Sequence, residues 1–70
     1  MAVLAQRMRR AMDARGVERG DLARMTGFTH GAVTAWFTGE RNPTVDKLRE
    51  ICKALDVSAD YLLGLKEEMQ

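Results

Sequence analysis

Seventy residues with 46% hydrophobic content suffice for one folded domain with a small core, and are too apolar for a disordered chain. The formal net charge is only +1, and no apolar run approaches the roughly 20 residues that cross a membrane. With one cysteine, one histidine and no clustered carboxylates, the chain offers no disulfide, no metal pair and no nucleophile–base pair, so no cofactor and no enzyme are expected.

Ala2 to Arg15 reads as the first helix. Leu4, Met8, Ala11 and Met12 recur at helical spacing and draw one apolar stripe. Arg7, Arg9 and Arg10 fall mostly on the other side. The plain reading of these arginines is a solvated face; the functional one is that one or two reach phosphates. Gly16 ends the helix and Val17 returns to the core.

The second helix starts weakly. Glu18 is a poor N-cap, although its charge suits the positive helix end, whereas Arg19 puts a cation there. Gly20 adds a further small cost. Packing through Leu22 and Ala23 must therefore hold this helix. Gly27 supplies the residue able to take a positive φ, and Phe28 packs inward after it. Thr29 is placed to cap a third helix that ends near Thr38-Gly39. Val33 and Trp36 form its inner face; His30, Gly31, Thr34, Ala35 and Thr38 are expected to face out. Two short helices around a tight turn, with such an outer face, suit insertion into a DNA groove.

Glu40 to Pro43 is a polar loop. Thr44 caps a fourth helix that runs to about Leu55, with Leu48, Ile51, Cys52 and Leu55 inward. Cys52 reads as a small buried hydrophobe. Asp56 breaks the run, Val57 packs, and Ser58 caps a short fifth helix with Asp60 in its first turn. Tyr61, Leu62 and Leu63 give its apolar side and Gly64 stops it. The expected division is a domain over 1–64 and a short charged tail over 65–70. No long apolar stretch marks the N-terminus as a signal peptide, so a cytoplasmic site is the default.

Charge is uneven along the chain. Residues 1–49 carry nine Lys/Arg and five Asp/Glu, whereas residues 50–70 carry two and five. A basic N-terminal part with an acidic C-terminal end fits one face turned to a polyanion, although an imbalance of this size is often a solvated surface.

Read together, Gly16-Val17, Leu22-Ala23, Gly27-Phe28-Thr29, Val33, Trp36, Gly39, Asn42-Pro43, Leu48, Ala54-Leu55, Val57-Ser58 and Tyr61-Leu62-Leu63-Gly64 carry a resemblance. The chain resembles a Cro/C1-type helix-turn-helix domain, the DNA-binding fold of phage repressors and many small bacterial regulators. The matching residues span roughly 4 to 64. The resemblance implies an all-α, compact five-helix, lambda-repressor-like domain whose second and third helices form the helix-turn-helix. It implies a repressor that binds a palindromic operator in double-stranded DNA as a homodimer. Position by position, His30, Gly31 and Ala35 match places that reach base edges, with Thr34 beside them and Thr29 at the helix start. Arg19 matches a phosphate-contacting place where the family usually has Gln. Thr38, Arg41 and Asn42 match the backbone-contacting loop. The same fold also serves as a protein-interaction module, such as an antitoxin or partner-controlled regulator, so a protein partner is the alternative.

Two departures from the family pattern matter. An Arg in the first helix often pairs with a Glu in the third; those places here hold Met12 and Phe37, which are expected to touch, since an apolar pair avoids desolvating charge. The outer face of the third helix also lacks Arg, Lys, Gln and Asn, the usual bidentate readers of bases. It offers one imidazole, hydroxyls and methyls, so dimer spacing and DNA shape are expected to carry much of the specificity. The dimer contact is expected at the fifth helix and the end of the fourth, where Tyr61, Leu62, Leu63 and Leu65 cluster, with some of these four filling the core.

Overall fold

The structure is a computed structural model that describes residues 1–70. Five helices form the expected all-α architecture: α1 (Ala2–Arg15), α2 (Arg19–Thr26), α3 (His30–Thr38), α4 (Val45–Leu55) and α5 (Ala59–Leu62). None is long and apolar enough to cross a membrane.

The boundaries follow from local chemistry. Gly16 takes φ 68° and closes α1, with Val17 N–H donating to the Met12 carbonyl at 2.8 Å. At the start of α2 the weakness of Glu18 as a cap is offset by Asp21, whose Oδ2 accepts from the Glu18 N–H at 2.9 Å and whose carboxylate also pairs with Arg24. The hydroxyls of Thr29, Thr44 and Ser58 accept from Ala32, Lys47 and Tyr61 N–H and so cap α3, α4 and α5. Asp56 ends α4 in the left-handed region at φ 54°.

Each helix contributes at least one side chain with no accessible surface: Met8 from α1, Leu22 from α2, Val33 from α3, Ile51 and Leu55 from α4, and Leu62 from α5. A second layer lies under the α2–α3 turn. There the Phe28 ring meets Trp36 edge-on, with centroids 5.5 Å apart. The turn between the helices is thereby fixed to the body of the protein.

One side chain of α1 sits elsewhere than the helical pattern suggests. Arg7 is buried, not on a solvated face. Its guanidinium donates to the carbonyls of Tyr61 at 3.4 Å and Lys66 at 3.0 Å, pairs with Glu67 at 2.9 Å, and lies 4.6 Å from the centre of the Tyr61 ring. Leu48 and Cys52 pack against the core from the expected face of α4 while staying half-buried, and burial pushes the Cys52 thiol above its ordinary range. Residues 66–70 lie back on the domain: Ser58 N–H donates to the Met69 carbonyl at 2.6 Å, and the Met69 side chain packs on the core.

Candidate nucleic-acid interface

The surface around α3 is built from three pieces of chain. Gly27, at φ 79°, turns the backbone sharply after α2, and the Thr29 cap launches α3 across it. Val33 and Trp36 bury the inner face of α3, which turns His30 and Gly31 to solvent and leaves Thr34 half-exposed. The His30 Nδ1 lies 3.4 Å from the Thr34 hydroxyl one helical turn on, which steadies the imidazole and leaves Nε2 unpaired.

Cations flank this face on both sides. Arg19 stands at the start of α2, in a groove that it shares with His30, Arg9 and Phe37. Beyond the other end of α3, Arg41, Asn42 and Lys47 border a smaller recess backed by Trp36. The Lys47 ammonium lies 5.9 Å from both the Phe28 and the Trp36 ring centres. Basic groups on either side of an exposed helix that carries only small and polar groups form a strip matched to a polyanion with a groove.

The family model described as Helix-turn-helix matches residues 8–62. The chain belongs to the Cro/C1-type helix-turn-helix family. No curated protein and no solved structure matches it. As a helix-turn-helix protein it is a DNA-binding transcriptional regulator, with α2 and α3 as the paired helices of that name.

Within this helix-turn-helix protein, the residues singled out from sequence divide into groups. Arg19, Thr29, His30 and Gly31 are exposed and lie around the start of α2 and α3. Thr38 is exposed, but its hydroxyl already donates to the Ala35 carbonyl at 3.2 Å and accepts from Glu40 N–H at 3.3 Å. Arg41 is exposed with its side chain unpaired; Asn42 Oδ1 accepts from the α-ammonium of Met1, which leaves its amide N–H groups for other partners.

Ala35 is a correction. The sequence reading turns it outward, at a place that reaches base edges, but only 6% of its surface is accessible. The loop after α3 turns back against it, and its carbonyl accepts from the backbone N–H of Arg41 as well as from Thr38. Helical phase alone puts Ala35 outside; the loop after α3 folds back onto its backbone.

Phe37 is divided between core and surface. It is half-buried, packs on the cluster that contains Met12, and lines one groove with it. Its exposed part carries the guanidiniums of Arg19 and Arg9. Two residues of this surface had no place in the sequence-derived site. Lys47 is one, and its position in the first turn after the Thr44 cap was the available signal. Arg9 is the other, legible only as one of four arginines on the first helix.

Proposed function

We propose that this protein is a repressor that binds a palindromic operator as a homodimer, with α3 in the major groove. The observation that carries the reading is the arrangement of the α3 face. His30, Gly31 and Thr34 are presented to solvent, with unpaired cations at Arg19 and Arg41 on its two sides. Arg19, Arg41, Thr38 and the Asn42 amide would hold phosphates, and Thr29 would meet the backbone at the start of α3. His30 would read bases: if the Thr34 hydroxyl donates to Nδ1, the ring proton sits on Nε2 and points a donor toward guanine N7 or O6. Gly31 lets the helix backbone approach the DNA. With one imidazole as its only strong reader, the face supplies modest direct discrimination. Half-site spacing and DNA shape supply the rest.

Tyr61 and Leu62 are buried in the core and are not available for the expected dimer contact. Leu65, 72% exposed, and half-buried Leu63 remain at that edge and are the proposed contact.

Selection from a random duplex pool tests the reading. The expected product is a palindrome whose half-sites lie about one helical turn, roughly 34 Å, apart. Sedimentation should show two chains per duplex. His30→Ala should change the selected bases, whereas Arg19→Ala should weaken binding across all sequences. An asymmetric site occupied by one chain overturns the dimer and the palindrome. A chain that binds no duplex even at low salt points instead to the protein-interaction alternative.

A further inference from the structure

Phe37 lies where α1, α2 and α3 meet, and its ring organises two arginines from different helices. The Cζ of Arg19 is 5.0 Å from the ring centre and that of Arg9 is 5.8 Å from it. Arg9 is fixed a second time: its Nη1 donates to the Phe37 carbonyl at 2.6 Å. Both arginines are exposed.

The charge pattern around them is informative. Asp13 and Glu18 line the same groove, yet neither pairs with Arg9 or Arg19. The ion pairs of the protein are Arg7–Glu67, Arg24–Asp21 and Lys53–Glu50, all elsewhere. Two guanidiniums are thus held in place by a ring and a carbonyl rather than by carboxylates. A carboxylate partner would cancel their charge; an aromatic face orients a guanidinium and leaves its charge in the field. Side chains already ordered also lose less entropy when they meet a ligand.

We propose that Phe37 is a positioning residue that holds Arg9 and Arg19 as a pair against the DNA backbone, so that α1 enters the interface through Arg9. The inference rests on the reading that the α2–α3 face binds duplex DNA. Arg19 sits at the start of α2, beside His30 in the groove, and Arg9 extends the cationic edge across α1. The ring therefore sets how many phosphates the domain meets, not which bases it reads.

The test is binding to a random-sequence duplex of about two helical turns, measured against salt. Arg9→Gln is an exposed change, and it should flatten the plot of log affinity against log salt by about 0.9, as Arg19→Gln should. Phe37→Leu keeps an apolar side chain but removes the ring. It should weaken binding about fivefold in the parent chain. In the Arg9→Gln/Arg19→Gln background it should have no effect. Phe37→Trp should restore affinity, because it keeps an aromatic face. An unchanged slope for Arg9→Gln beside a flattened slope for Arg19→Gln overturns the role of α1 and leaves DNA binding standing. An equal loss for Phe37→Leu in both backgrounds shows a merely structural role and overturns the positioning. Failure of the parent chain to bind any duplex overturns both this inference and the reading beneath it.

Discussion

A methyl group added at Gly31 meets nothing within 4 Å, and the backbone there is ordinary helix. Replacing glycine by alanine inside a helix is worth up to about 1 kcal/mol. Gly31→Ala should therefore raise the thermal midpoint by several degrees. If the α3 backbone lies against DNA, the same methyl obstructs the approach and affinity falls. Stability and binding moving in opposite directions is the expected result; a variant that gains stability and keeps full affinity shows that Gly31 does not touch the duplex. Gly64 behaves differently. Its φ is +77°, and an added Cβ would lie 2.8 Å from Val3 Cγ2. Gly64→Ala should cost about 2 kcal/mol in a denaturant titration, through backbone strain and overpacking together. Cys52 provides a pH test. Burial raises its thiol pKa above 9.0, so the unfolded chain loses this proton first as pH rises. The associated stability is complete below the unfolded value and is lost above it. The stability difference between the parent chain and Cys52→Ala should shift against the parent between about pH 7 and about pH 10. A constant difference shows that the thiol ionises freely in the folded protein.

Helix ends are set by short-range chemistry, which is why they were legible. Gly16, Gly27, Thr29, Thr44 and Ser58 act on groups within a few residues of themselves, and all five stand where a linear reading puts them. Arg7 and Ala35 depend on chain that is distant or folds back. The carbonyls that Arg7 meets come from Tyr61 and Lys66, and the loop that follows α3 folds back to bond the Ala35 carbonyl. No periodicity within α1 or α3 encodes those contacts. The candidate site was legible to the same extent: its position on α3 follows from Val33 and Trp36 facing inward, but the pairing of Arg9 with Arg19 needs three helices brought together. The end of α4 carries a testable mismatch. Asp56 adopts φ 54° and places a negative charge at the negative end of the helix. Its carbonyl accepts from Arg15 and Gln70, and that backbone group survives any substitution. Asp56→Gly relieves both conflicts and should stabilise the protein by about 1 kcal/mol in thermal melts followed by circular dichroism. A loss of stability would mean that the carboxylate has a favourable role that outweighs them.

At the scale of the whole molecule, arginines of α1 tie the acidic C-terminal end to the basic N-terminal part, Arg15 through the Leu55 and Asp56 carbonyls and Arg7 more extensively. Arg7 lies inside α1 and gathers the Tyr61 and Lys66 carbonyls, the Glu67 carboxylate and the Tyr61 ring. The Glu67 side chain is 84% exposed, so its charge is screened and Glu67→Gln should shift stability little. The larger contribution is the set of hydrogen bonds made by an Arg7 side chain that is only 10% exposed, together with the packing of Met69 on the core. A chain ending at Gly64 loses the Lys66 carbonyl, the Met69 carbonyl that accepts from Ser58, and the Met69 side chain. It should be less stable by about 2–4 kcal/mol. For a domain of this size that lowers the thermal midpoint by roughly 10–20 °C. Coupling to Arg7 identifies the cause. In the full chain Arg7→Met removes satisfied hydrogen bonds and should cost about 2 kcal/mol. In the shortened chain it removes a charge that has lost most of its partners, and it should be neutral or stabilising. Equal costs in the two chains would show that the last six residues act independently of Arg7, through Met69 and the start of α5.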